Sequence, residues 1–210
     1  MWRALLACAL LLSLSGLIVG CSGVRGSTGS EAGGLAPTVA TLTSVADTSI
    51  YSAAPAGNYG TLIRLYCGNY PDGKIRRALI RFDLSRIPAT ATVNRATLSL
   101  YLDAVYKGSD NYRVHRATQA WGELKATWAN ANGIASPSAS ATKTISPSMQ
   151  GQPVTFTVTS LAQDWVKTPK GNYGLVLRGS EGATRRGLVC YSREQLTPRF
   201  RPQLTVTYTP

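Results

Sequence analysis

The sequence has little of the usual material for acid–base or metal chemistry. Among 210 residues there is one histidine, His115, and only ten acidic residues, so chemistry that needs several histidines or clustered carboxylates has few groups to draw on. The four cysteines show no spacing of the zinc-ligand kind. Charged residues make up 15% of the chain, and negative charge is the scarcer sign: 22 Lys and Arg stand against 10 Asp and Glu, a formal net charge of +12. Such a balance favours acidic partners over basic ones. Length excludes a multidomain enzyme, since 210 residues make one domain of about 150–200 residues or two small ones. What the chain does have is 20 glycines, 11 prolines and many Ser and Thr, which suit a turn-rich β protein better than a helical bundle.

The N-terminus reads as an address. Met1-Trp2-Arg3 supplies a positive start, and Ala4 to Val19 is an apolar run of signal length that is marginal as a membrane span. Its end, Leu17-Ile18-Val19-Gly20-Cys21, resembles the lipobox of bacterial lipoproteins, which places lipidation on Cys21; the alternative is an ordinary secretory signal in which Cys21 is incidental. Both readings take the mature chain out of the cytoplasm, either lipid-anchored to the cell membrane or secreted. Residues 1–20 are thus expected to be a signal peptide, 21–40 a Gly/Ser-rich lipidated tether, and 41–210 the domain. A tether of that length and composition has a root-mean-square reach of roughly 20–25 Å. Cleavage after Gly20 discards one basic residue, Arg3, and no acidic one, leaving 21 basic against 10 acidic residues and a net charge of +11.

From about Ala40 the chain alternates in short segments separated by turn residues. In Arg95–Asp103, Ala96, Leu98, Leu100 and Leu102 fall on one face and Thr97, Ser99, Tyr101 and Asp103 on the other, a strand with one core face and one wet face. Similar alternation marks Ala78 to Leu84, Val154 to Val158 and Leu204 to Tyr208, with further candidates at Leu62–Tyr66, Tyr112–Arg116, Tyr173–Arg178 and Gly187–Tyr191. Eight or more short strands predict an all-β antiparallel sandwich. One short helix is predicted near 160–167: Ser160 and Gln163 are spaced as a capping box, Leu161 and Trp165 share a face, and Pro169 ends it. Residues 129–150, with little periodicity, read as a long surface connection.

The order of several motifs is more specific than any one of them. Ala46-Asp47-Thr48, Asn58-Tyr59-Gly60, Arg81-Phe82-Asp83-Leu84-Ser85, Trp121-Gly122-Glu123 with Thr127-Trp128, Gln163-Asp164-Trp165, Asn172-Tyr173-Gly174, Tyr191-Ser192-Arg193-Glu194 and Arg201-Pro202 follow one another across residues 46–208. In this the chain resembles the DNRLRE domains, also classed as carbohydrate-binding module family 96. The resemblance implies a jelly-roll sandwich and a glycan-binding role, with acidic polysaccharides such as alginate among the family's ligands. Gly122 departs from the Ser or Thr often found there, which touches only a local turn.

Among the candidate site residues, scaffold must be separated from surface. Phe82 and Leu84 alternate into the core while Asp83 and Ser85 suit the following turn, and Trp121, Trp128 and Trp165 are better placed for packing than for stacking on sugars. The ligand-binding candidates are therefore the polar strand faces that carry rings and guanidinium groups: Arg77 and Arg81, Arg64 and Tyr66, and Tyr191 and Arg193. Lined along one concave sheet, they would offer bidentate donors to uronate carboxylates and rings for stacking. Arg185-Arg186 adds charge on a turn. This predicts non-catalytic binding of an anionic, uronate-containing polysaccharide by a monomeric module with no catalytic residues. Two rivals stand beside it. A polysaccharide lyase of the same fold would use His115 with Tyr112, Arg113 and Arg116, and an adhesion or scaffold module would bind a protein. Nucleic acid is disfavoured by location and by the lack of a recognised motif. With Cys8 removed and Cys21 lipidated, Cys67 and Cys190 remain, and a disulfide between them is expected in preference to two buried free thiols, closing a loop of about 120 residues and adding on the order of 4 kcal/mol. No cofactor is required. A structural calcium ion is compatible with oxygens from Asp47, Asn58 or Asp72, but the spacing specifies no metal site.

Overall fold

A computed structural model describes residues 35–210; the expected signal peptide, Cys21 and most of the expected tether lie outside the described residues. The strands are β1 (Thr38–Tyr51), β2 (Arg64–Asn69), β3 (Ile75–Phe82), β4 (Thr92–Tyr106), β5 (Asp110–Ala117), β6 (Ala135–Ile145), β7 (Pro153–Thr157), β8 (Leu175–Arg178), β9 (Gly187–Tyr191) and β10 (Gln203–Thr209). Helix α1 (Trp128–Ala131) lies between β5 and β6, and α2 (Thr159–Lys167) between β7 and β8. Among the described residues no helix is long and apolar enough to cross a membrane.

Every pairing is antiparallel. β1 pairs with β10 and with β3, β10 with β4, β4 with β9, β9 with β2, and β2 with β3, so six strands close into a ring. β7 adds to β4, and β8, β5 and β6 extend the sheet from β3. The all-β antiparallel expectation holds, while the pairing is barrel-like where a jelly roll would keep two separate sheets. The cause lies in β1 and β4, 14 and 15 residues long, whose two ends pair with different neighbours. Each bends at an irregularity, between Ser44 and Ala46 and between Leu102 and Ala104. An inserted residue bends a strand and shifts its alternation. In β4 the inward series Ala96, Leu98, Leu100 and Leu102 accordingly resumes at Val105, and Asp103 is turned outward at the bend.

The inward series of the strands, with Leu161 and Trp165 from α2, make one large core. A second, smaller core forms on the other side of β3 and β8, where Leu79 and Val176 meet Ala46, Ile50, Trp121, Ala131 and Ile134. One face core and one face wet therefore fails here, because the chain between β5 and β6 lies over the outer face. The reading of 129–150 as a bare surface connection is corrected accordingly. It contains most of α1 and the 11-residue strand β6, whose Ser-, Ala- and Thr-rich pattern is that of a sheet edge, mostly exposed and paired only with β5. Helix α2 falls where expected, but without a capping box: Gln163 instead accepts the Val93 N–H at 2.8 Å and donates to the Ala91 carbonyl at 3.2 Å, fastening the helix to the start of β4.

The expected disulfide is also absent, and the register gives the reason. Cys67 stands opposite Leu188 and Cys190 opposite Leu65, so the two cysteines are diagonal neighbours on β2 and β9. Such diagonals lie about 7–8 Å apart, somewhat less between their Cβ atoms, against roughly 4 Å between the Cβ atoms of a bridge. Both are buried free thiols, and burial raises each above the usual thiol range. Thiol titration should count no reactive Cys67 or Cys190 in the native protein and both after denaturation, and a reductant should leave the melting temperature unchanged. A drop on reduction would restore the bridge.

Candidate carbohydrate-binding site

Strand β2 turns Arg64 and Tyr66 outward between the buried Leu65 and Cys67. Arg64 stands opposite Tyr191 of β9, and Asp103 at the bend of β4 joins them: Arg64 Nε donates to its Oδ2 at 2.6 Å and the Tyr191 hydroxyl to its Oδ1 at 2.7 Å. On one side Tyr191 continues into a group of rings, with centroids 6.1 Å from Tyr101 and 5.6 Å from Phe200, and Arg199 lies over Phe200. On the other side Tyr66 enters an open cleft of about 340 Å³ that is also lined by Ser49, Tyr51, Tyr59, Leu62 and Arg76. Rings and guanidinium groups thus run in a continuous row across β4, β9 and β2 into the cleft.

Inside the cleft the Arg76 guanidinium lies 4.0 Å from the Tyr51 ring centroid and 4.3 Å from that of Tyr70. Asp72, in the turn between β2 and β3, holds it at 2.9 Å and accepts the Tyr51 hydroxyl at 2.8 Å. These hydrogen bonds, that of Arg76 first, keep the Asp72 carboxyl low, at about 2. Tyr59 meets Tyr51 edge to face at 6.4 Å. Its position is fixed by neighbours: Asn58 donates through Nδ2 to the Glu123 and Ala126 carbonyls and accepts the Gly60 N–H. Asn172-Tyr173-Gly174 repeats the device, with Asn172 donating to the Phe82 carbonyl and accepting the Gly174 N–H. Gly174 has φ +80°, and a Cβ there would overlap the Ile80 carbonyl oxygen.

The family model for carbohydrate-binding module family 96 matches residues 38–208, nearly all of the described chain. The chain belongs to carbohydrate-binding module family 96. Membership carries carbohydrate binding in general, and agrees with a surface that presents rings in a row. No curated protein matches the chain.

Of the six binding residues expected in this family 96 chain, Arg64, Tyr66 and Tyr191 share the row, and the other three lie elsewhere. Arg77 is only 9% exposed, because the segment carrying α1 covers it. Its Nε and Nη2 hold both oxygens of Glu181 at 2.7 and 2.8 Å, Nη1 donates to the Asn132 carbonyl, and its guanidinium lies 4.9 Å from the Trp128 ring centroid. Arg81 lies 5.5 Å from the Trp121 ring centroid under the same segment. Arg193 is among acids, 3.1 Å from Glu123 and 3.3 Å from Glu194. Arg77 and Arg81 share one face of β3 by parity, but parity does not show which loop lies over the face, and Arg193 lies beyond the end of β9. Tyr51, Tyr59 and Arg76 escape the same reasoning. Arg76 alternates with Ala78 and Ile80 and so reads as inward, yet at the end of β3 the inward direction opens into the cleft.

Glu181 carries a pH signature. Burial raises its carboxyl, and hydrogen bonds from Arg77 and Arg178 outweigh burial, holding it at about 2 against an ordinary 4.5. A carboxyl depressed on folding adds stability that is complete above its unfolded value and is lost as pH falls through its folded value. Glu181→Gln should therefore flatten the loss of stability between about pH 4.5 and pH 2, as read by urea midpoints across that range. An unchanged slope would contradict the assignment.

The lyase constellation is not assembled. Tyr112 faces the main core, whereas His115 lies on the opposite face of β5, 5% exposed, with Nδ1 at 2.8 Å from the Ser136 carbonyl oxygen. Burial lowers the imidazole below its ordinary pKa. Arg116 is taken by Asp164. His115 does line a second open hollow of about 410 Å³ with Arg113 and Arg178, but no tyrosine enters it. Of the oxygens considered for calcium, that of Asn58 is used by Gly60 and those of Asp72 by Arg76, Lys74 and Tyr51. Asp47 groups instead with Glu123 and Glu194.

Proposed function

We propose that this module binds an acidic, uronate-containing polysaccharide without cleaving it, along the row of rings that ends in the Tyr51–Tyr59–Tyr66 cleft. The cleft carries the reading: three tyrosines and a stacked guanidinium converge on a groove open to an extended chain. Ring faces cover the apolar C–H faces of pyranoses, and Arg64 and Arg76 supply planar donors that match a carboxylate. Each now holds an aspartate, Asp103 and Asp72, in a partly solvent-exposed ion pair for which a uronate carboxylate can compete. The net charge of +11 after cleavage would draw a polyanion to the surface. We further infer from the lipobox-like ending at Cys21 that the module acts outside the cytoplasm as a monomer held to the membrane by lipid, where a Gly/Ser tether gives it reach.

Incubating the purified protein with alginate, pectate and neutral glucans, while recording both retention and the appearance of unsaturated sugar ends, tests the reading. Retention on the two polyuronates that weakens with salt, with no product, is the expected result. Product formation would transfer the protein to the lyases, equal retention on neutral glucans would remove the acidic preference, and indifference to every glycan would leave adhesion to a protein.

A further inference from the structure

We propose that Asp47, Glu123 and Glu194 form a calcium site that ties β1 to the segments following β5 and β9. One oxygen from each carboxylate lies within 4.8 Å of one from each of the others. Oxygens that share one calcium ion at 2.3–2.6 Å stand no more than about 5 Å apart, so the three already have the spacing of a coordination shell.

The second observation is an unpartnered oxygen. Asp47 is 1% exposed; its Oδ2 accepts the Ser44 hydroxyl and the Arg193 N–H, both at 2.9 Å, and its Oδ1 has no donor. A buried carboxylate oxygen without a partner is costly and rare. Charge points the same way. The Arg193 guanidinium reaches Glu123 and Glu194, while Asp47 receives a backbone N–H from Arg193 and a neutral hydroxyl from Ser44, so three carboxylates share one positive side chain.

The surroundings hold the three in place before any ion arrives. Glu123 Oε1 accepts the Asp47 N–H at 2.8 Å, and Asn58 grips the Glu123 carbonyl. Ser192 donates to the Leu62 carbonyl at 2.7 Å and lies 3.1 Å from Glu194 Oε2. An all-oxygen set without histidine or thiol selects a hard cation, and ligands drawn irregularly from one strand and two loops suit calcium, which tolerates varied geometry, over magnesium, which demands an octahedron.

The test uses the whole protein, stripped with a chelator and titrated with calcium chloride under calorimetry and thermal denaturation, with magnesium chloride and sodium chloride at matched ionic strength as controls. One calcium per chain is expected, with a melting temperature that rises with calcium concentration as ligand linkage requires. Glu123→Gln and Glu194→Gln should each weaken binding at least tenfold, Asp164→Asn should not, and Arg193→Ala should still bind. No heat and no melting shift at millimolar calcium in the wild type would overturn the proposal without recourse to any variant. An equal response to magnesium, or a response that survives both glutamine variants, would overturn it as well. Neither readout involves a glycan, so this proposal can fail while the glycan reading stands.

Discussion

Replacing Arg77 with alanine should destabilise the folded chain by on the order of 3 kcal/mol and leave glycan affinity of the folded protein unchanged. The residue looks like a ligand-binding arginine in the sequence, but its donors are spent inside the molecule. Two hold Glu181 in a bidentate pair at 2.7 and 2.8 Å, a third holds the Asn132 carbonyl, and the planar group lies beside Trp128. Truncation leaves Glu181 with Arg178 alone and the Asn132 carbonyl without this donor, which is why breaking such a buried pair costs more than the pair itself contributes. Arg77→Lys should recover only part of the loss, since one ammonium cannot reproduce the fork. Urea midpoints of the three proteins check this. An alanine variant of wild-type stability that no longer binds glycan would return Arg77 to the binding site.

In the cleft the effect should fall the other way, on affinity. Tyr51→Ala and Tyr66→Ala should each weaken polyuronate binding about tenfold, equal to roughly 1.4 kcal/mol for loss of one ring, and together should abolish retention on an alginate column. Both side chains are half-buried at the surface, so the melting temperature should move little. Tyr51→Phe keeps the ring and loses only the hydrogen bond to Asp72, and should bind nearly as the wild type does. Arg76→Ala should weaken binding most at low salt and flatten its salt dependence, because it removes a charge contact. If the alanine variants bind like the wild type, the cleft is not the site.

Much of the fold was legible because alternation is a local property. Gly187–Tyr191 and Val154 to Val158 read as strands from their own residues, and Leu161 and Trp165 identified the buried face of α2. What escaped was non-local. The Ser-, Ala- and Thr-rich β6 has no apolar face to betray it, since it is an edge strand held by pairing with β5. Residue parity placed Arg77 and Arg81 on an outer face correctly, yet nothing in their own strand shows that Trp121, Ala131 and Ile134 return to cover it. The site divides along the same line. Arg64, Tyr66 and Tyr191 were found because they alternate within strands, while Tyr51, Tyr59 and Arg76 meet only through the turn geometry of Asn58 and Asp72. Ten acids in 210 residues suggested that carboxylates would be dispersed; three of them converge because β1 and two distant loops meet at one place.

The central claim is where the sugar lies, and chemical-shift mapping tests it most directly. Titrating an isotopically labelled protein with a polyuronate oligosaccharide should move the amide signals of Ser49, Tyr51, Tyr59, Leu62, Tyr66 and Arg76 together, with weaker shifts spreading through Arg64 to Tyr191. Shifts gathered instead around Arg113, His115 and Arg178, with the cleft signals still, would contradict the account.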